Sequence, residues 1–311
     1  MDLLRLPFVV LIDVFKNMDF KEKFLISLMS KRARNTLKLT SVIPHFSILL
    51  HKRLNICSGT NSIRFFTVTD VPNCMIRGEV MTLSFSSVEI VLREESPEKQ
   101  LLLTDYLLDT FKNPSISVAV FDRTPPATVL ELMKIINQRK LCVKSFQYHM
   151  SSASEFFSRI LDECTEVTDT IYIKTIFPED FIYTPPRPFK VKLFQVGFTA
   201  NWFNLEDFLN CSRIILQLNR DVNRTAQSWN TLFRNWIDSN ARLEYLSFFM
   251  FREFEFPLMV EGLSNEGIQQ KGIDEWIEVK RRDGSEFVIG RAWNAMYIMN
   301  KQEHLNHLRR H

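Results

Sequence analysis

Three histidines near the end of the sequence have a spacing that could ligate a metal. His304, His307 and His311 stand at i, i+3 and i+7, which is one face of a helix. A metal there needs further donors, and only Glu303 lies close by. A polar terminal tail is the simpler reading, and no metal is expected. Cys142 and His149 are the candidates for a thiol nucleophile and its base. A reactive thiol needs an exposed, electropositive niche, and the flanking residues advertise none. The five cysteines, Cys57, Cys74, Cys142, Cys164 and Cys211, are odd in number, widely spaced and without a C-x-x-C pair. That pattern argues against a disulfide framework or a zinc site and for reduced thiols in a cytosolic protein. No G-x-G-x-x-G, G-x-x-x-x-G-K-[ST] or G-x-S-x-G motif occurs. Glycine is scarce, at 8, beside 27 phenylalanines, so loops that cradle phosphates lack their raw material. The expectation is a protein without chemistry of its own and without a cofactor.

Charge excludes further classes. Lys plus Arg total 39 and Asp plus Glu total 36, a net +3. So balanced a chain does not ask for nucleic acid or a membrane surface. Basic runs occur at Lys31-Arg32-Ala33-Arg34, His51-Lys52-Arg53 and Lys280-Arg281-Arg282. A solvated face is the expectation for all three, with a nuclear-targeting role for the first as the weaker alternative. The first residues carry no secretory signal, and no stretch of about twenty apolar residues is present to span a membrane. The expected compartment is the cytoplasm, with the nucleus as a second option.

The elements that remain to carry function begin at Leu6. Pro7 is suited to a first helical position. Phe8, Leu11, Ile12 and Phe15 form one helical stripe. Val9, Val10, Val14 and Met18 are apolar as well, and only Asp13 interrupts Pro7 to Phe15. A helix apolar all round must be covered on both sides, and a partner protein is the economical cover. Asp19 and Glu22 have capping-box spacing, so a second helix starts near Phe20, with Phe20, Phe24 and Leu28 on one stripe and Leu25 and Met29 widening it. Ser30 is a further N-cap candidate, opening a short basic helix to about Lys38.

Leu6-Pro7, Leu11, Val14-Phe15, Met18, Leu28 and Ser30-Lys31-Arg32 together resemble the F-box pattern, over roughly residues 4 to 45. The pattern departs at Lys21-Glu22-Lys23, where many members carry an acidic residue and leucines. The resemblance implies docking on a Skp-type adaptor, and through it on a cullin. It also implies that Leu6, Pro7, Val10, Leu11, Val14, Met18 and Phe24 serve as the adaptor-binding residues.

With 311 residues and 45% hydrophobic content, the remainder can bury a substantial core. Period-two alternation at Ser62–Thr69 and Met81–Arg93 predicts antiparallel strands, ended by Ser96-Pro97, and Leu101–Phe111 predicts a helix. From there short apolar runs alternate with helical stretches. Strands are predicted at Ile116–Phe121, Val143–His149, Thr170–Lys174, Val191–Gly197, Ile214–Leu218 and Leu243–Phe249. Their starts are 21 to 29 residues apart. Helices are predicted at Thr128–Arg139, Ser152–Glu163, Leu205–Asn210 and Ala226–Ser239, and the interval before Val191 holds a loop rich in proline, Pro185 to Pro188. Such a period suits a degenerate leucine-rich-repeat-like solenoid. A doubly wound sheet is the competing reading, and it usually has glycine-rich loops at its strand ends. Asp283-Gly284 between Trp276–Lys280 and Glu286–Ile289 predicts a hairpin, Ala292 to Met299 a further strand.

Trp202, Leu205, Phe208-Leu209, Ile214-Ile215-Leu216, Trp229, Leu232-Phe233, Trp236 and Asn240 to Leu246 resemble the F-box-associated domain common in nematode F-box proteins. Arg282-Asp283-Gly284 resembles its C-terminal hairpin. That domain is regarded as a substrate-recognition region. Trp229, Phe233 and Trp236 also share one helical face and are expected in the core. The resulting expectation is an α/β (α+β) chain. Its F-box occupies residues 1–45 and a repeat domain 55–311, with a subdivision into 55–113 and 114–311 left open. It would be a non-catalytic receptor of a ubiquitin ligase, binding an unknown protein substrate through unassigned residues. The alternative is a scaffold with no ligase link, in which the N-terminal helices cap the repeat domain.

Overall fold

Local capping and side-chain period set the elements, and the chain divides into two compact units, residues 1–150 with 154–164 and residues 151–153 with 165–311. The structure is a computed structural model that describes residues 6–40, 43–59, 69–70, 73–112, 114–198, 202–217, 224–249 and 255–309. It is mixed helix and sheet, with a helical N-terminal segment followed by largely β structure.

The first unit opens with α1 (Phe8–Asn17), α2 (Phe20–Met29) and α3 (Lys31–Thr40). Its strands are β1 (His45–Leu50), β2 (Leu54–Ser58), β3 (Thr69–Asp70), β4 (Cys74–Ile76), β5 (Glu79–Met81), β6 (Leu83–Phe85), β7 (Glu89–Leu92), β8 (Ser115–Phe121) and β9 (Val143–His149). Helices α4 (Pro97–Thr110), α5 (Pro126–Gln138) and α6 (Phe157–Asp162) complete it. The sheet runs β9-β8-β1-β2-β7-β6-β3, parallel across β9-β8-β1 and antiparallel beyond, with β4-β5 as a separate ribbon. On β8 the alternation sends Ile116, Val118 and Val120 inward. Pro97 opens α4 and the Lys99 N–H donates to Ser96 Oγ at 3.3 Å, so Ser-Pro ends a strand and starts a helix at once.

The expected strand Met81–Arg93 is two strands. Ser86 and Ser87 turn the chain, with the Ser86 N–H donating to the Glu89 carbonyl at 2.9 Å and the Val88 N–H to Ser86 Oγ at 3.3 Å. Short serine-to-backbone bonds of this kind compete with an unbroken ladder. The expected helix Ser152–Glu163 is likewise only α6, and most of the strand expected at Ser62–Thr69 lies outside the described residues. The compact units part between residues 150 and 165, and β8 pairs with β1 from Ser115 to Val120.

In the second unit β10 (Thr170–Thr175), β11 (Leu193–Phe198), β12 (Arg213–Gln217) and β13 (Tyr245–Phe249) lie side by side, parallel and in chain order. They match the expected strands within two residues, apart from Leu218, which lies outside the described residues. The segment expected as a helix at Leu205–Asn210 is a single 3-10 turn, Leu205–Phe208. Helices α7 (Ala226–Asp238), α8 (Phe256–Met259) and α9 (Lys301–Leu308) and strands β14 (Gln269–Lys271), β15 (Asp274–Lys280), β16 (Glu286–Ala292) and β17 (Ala295–Asn300) follow. The β14-β15-β16-β17 meander joins the parallel strands through β17, which pairs antiparallel with β13. The predicted hairpin forms over Arg281–Ser285. Gly284 takes a φ of 87°, which an L residue rarely adopts, and its N–H donates to the Arg281 carbonyl at 2.9 Å. Gly290 is dictated by packing, since a Cβ there would run into the Tyr297 ring.

The tryptophan stripe is core. Trp229, Phe233 and Trp236 are buried, Trp229 stacks on Phe248 at 4.4 Å, and Trp236 meets Phe287 edge-on at 5.2 Å. Two expectations about charged residues are corrected. Arg281 is buried between Trp236 and Phe287 instead of solvated, its Nη2 donating to the carbonyls of Ser239 and Ala241 at 2.9 and 2.7 Å. His304 is buried against Trp276, 4.9 Å between ring centroids, and is no part of a polar tail. His311 lies outside the described residues. Among those residues no helix is long and apolar enough to cross a membrane.

Candidate functional site

The three N-terminal helices hold an exposed apolar surface on a tightly anchored base. The base is α2, and its start is secured by a full capping box. The Glu22 N–H donates to Asp19 Oδ1 at 2.8 Å, and the Asp19 N–H donates to Glu22 Oε2 at 2.8 Å. Phe20 then packs on Phe46 and Phe111 at 5.5 and 5.8 Å, and Phe24 on Phe85 and Tyr106 at 5.5 and 6.1 Å. The Tyr106 hydroxyl donates to the Ser27 carbonyl at 2.9 Å, so the buried phenol keeps a partner. From α3, Lys38 pairs with Asp109 at 3.3 Å and Arg34 lies 5.5 Å over the Tyr106 ring. The Ala33 N–H donates to Ser30 Oγ at 3.0 Å, as an N-cap does.

On this base α1 turns one stripe inward. Leu11 and Phe15 are buried with Leu37 of α3, and Leu6, Val14, Met18 and Ile26 are half-buried around them. Pro7 stands just before the helix and not at its first position. The other side of α1 meets solvent. Phe8 is 49% exposed, Val9 71% and Val10 43%. Met29 at the end of α2 and Leu39 near the end of α3 are more exposed still. Covering a Val or Phe side chain releases about 1.5–3 kcal/mol, so this surface can contribute several kcal/mol to an association.

The seven residues expected to bind an adaptor therefore separate. Pro7 and Val10 are on the surface, and Leu6, Val14 and Met18 are at its edge. Leu11 and Phe24 are interior, where Leu11 packs within the helices and Phe24 against Phe85 and Tyr106. Phe8, Val9, Met29 and Leu39 join Val10 on the exposed apolar surface, and the apolar run Phe8-Val9-Val10 was the sequence signal for the first two.

The thiols do not add a second site. Burial, with Glu89 nearby, pushes the Cys57 thiol up to about 12, burial pushes Cys211 up to about 12, and Cys164 is raised as well. Such thiols stay protonated and inert. Cys142 and His149 flank opposite ends of β9, about 20 Å apart at strand rise, and His149 stacks on Phe121 at 5.1 Å.

Comparison with protein families gives two matches. The F-box domain model matches residues 3–42, the span of α1 to α3. An F-box associated model matches residues 187–248, which runs from β11 through α7 into β13. Among curated proteins and among solved structures, none matches the chain. With an exposed apolar surface on the first span and a packed strand–helix core in the second, the chain is similar over these two spans to F-box proteins that carry an F-box-associated domain.

Proposed function

We propose that this chain is the substrate-recognition subunit of a Skp–cullin–F-box type ubiquitin ligase. In this reading it catalyses nothing itself. Residues 1–45 dock on a Skp-type adaptor, and residues 55–311 hold a target protein, raising its effective concentration at the ligase. The parallel run β10 to β13, taken as degenerate leucine-rich-repeat-like units, is the frame for that task. The cytoplasm, with the nucleus as a second compartment, is where such a subunit works. The observation that carries the reading is the solvent-facing apolar side of α1 within the F-box match. Its test is co-purification with a Skp-type adaptor. Val9→Asp with Val10→Asp is expected to abolish it, because an interface that buries an unpaired carboxylate loses several kcal/mol. Unchanged co-purification of that double variant would overturn the reading.

A second reading, a scaffold without a ligase link, draws on α2, whose Phe20 and Phe24 cover Phe46, Phe85, Tyr106 and Phe111. It accounts for α2 and leaves the exposed side of α1 unused. Cullin in the wild-type pull-down distinguishes the two.

A further inference from the structure

A polar cleft of about 580 Å³ opens in the second unit, a size suited to one or two side chains of a ligand. Three arginines line it, Arg213, Arg242 and Arg281, together with Glu244, Asp283 and Glu303. Their engagements differ. Arg213 is spent, paired with Glu303 at 3.5 Å and laid over the Tyr245 ring at 4.1 Å. Asp283 accepts the Ser285 N–H at 2.9 Å and the Ser285 hydroxyl. Arg281 is buried, with 4% of its side chain exposed, and two carbonyls and two aromatic rings hold its guanidinium in place. Its nearest carboxylate is Asp283 at 4.0 Å, beyond hydrogen-bond reach, and its Nε is buried without a partner. Arg242 is exposed and makes no hydrogen bond or ion pair among the described residues, while Leu243 beside it is buried and anchors that stretch of chain.

A buried cation with incomplete neutralisation is a costly arrangement. Nε stays enclosed, but the guanidinium edge that lines the cleft beside Asp283 could take an oxyanion, and charge-assisted, fork-like bonds are the strongest that arginine makes. We infer that this cleft binds an oxyanion-bearing side chain of a polypeptide, a carboxylate or a phosphate, between Arg242 and Arg281. Glu244 on the same lining favours a ligand with a cation next to its anion, as a polypeptide has and a free mineral anion lacks. That the polypeptide is a target protein rests on the receptor reading above.

The test is a thermal titration of the full chain with inorganic phosphate and, separately, with acetate, at constant ionic strength. Anions also stabilise proteins by exclusion from their surface, so the readout is the difference between wild type and Arg242→Gln. At ligand about ten times the dissociation constant, the wild-type melting temperature is expected to rise by about 2–4 °C more than the variant's. The variant's apparent affinity should fall about ten-fold or more. Arg242 has no partner to lose, so its variant folds. Arg281→Lys, which keeps the charge and loses the fork, should show the same loss if it folds. A shift with phosphate alone assigns a phosphorylated side chain, and a shift with both assigns a carboxylate as well. No shift with either, or a shift that survives in Arg242→Gln, overturns the proposal. Adaptor co-purification run on the same variants separates the outcomes: it should be unaffected by Arg242→Gln, and its failure in wild type would sink the receptor reading while leaving the cleft.

Discussion

Helices α1 and α7 both carry an aromatic-aliphatic stripe, and they end in opposite states. In α7 the stripe of Trp229, Leu232, Phe233 and Trp236 is wholly buried, and the other side carries Gln227, Thr231 and Arg234. In α1 the stripe of Leu11 and Phe15 is buried too, yet Phe8, Val9 and Val10 remain at the surface. The difference lies in what accompanies the stripe. A polar second face lets a helix finish its packing within one chain, and an apolar second face leaves it unfinished. Between the two, α1 is the helix with unspent burial free energy.

The comparison breaks most visibly at Trp236. Trp236→Ala removes a fully buried ring, its Nε1 donation to the Leu243 carbonyl at 3.1 Å and the platform for Arg281. The expected loss is about 3–5 kcal/mol, read by chemical denaturation. A midpoint unchanged from wild type would show that α7 is not the packed partner in this contrast.

A smaller effect is expected from His304, which sits behind the meander that completes the second unit. Burial lowers its pKa below the usual histidine value, with His307 acting in the same direction and Asp274 and Glu278 opposing. The folded state thus prefers the neutral ring, and the unfolded chain binds the proton first. Stability from this group is complete above about pH 6.5 and is lost as pH falls below it toward the folded value. Between pH 7.5 and 5.5, melting temperature should drop less in His304→Gln than in wild type. An equal drop in both would place the pH sensitivity elsewhere, for example at His45, which burial shifts the same way.

The smallest effect sharpens the contrast from the α1 side. Val9→Asp with Val10→Asp should change the stability of the free chain by no more than about 0.5 kcal/mol per site, since exposed positions tolerate substitution. A loss of several kcal/mol would mean that these valines are packed within the chain after all.

Several features were legible because their causes are local. Asp19 and Glu22 announced a capping box, Ser96-Pro97 a strand end, and Asp283-Gly284 a hairpin, and each depends on residues a few positions apart. The parallel strands were legible from short apolar runs at regular intervals. Arg281 misled for the opposite reason. Nothing in Lys280-Arg281-Arg282 reveals that Trp236 and two carbonyls from residues 239 and 241 will enclose the middle member. The burial of Phe24 is equally illegible, because Phe85 and Tyr106, on which it packs, lie some sixty and eighty residues downstream.

By itself, then, the sequence determined where α1, α2, α4, α5, α7 and the parallel strands β8 to β13 run, that the first turn of α1 is apolar on every side, and that no familiar catalytic motif is present. Those properties follow from backbone preference and side-chain period within a few residues. Only the tertiary structure decided that Leu11 and Phe24 face inward while Val9 and Val10 face out, and that Arg281 and Arg242 share one cleft. Which side of an apolar helix is covered, and which charge is buried, depends on residues far away in the chain, and no local pattern encodes their arrival.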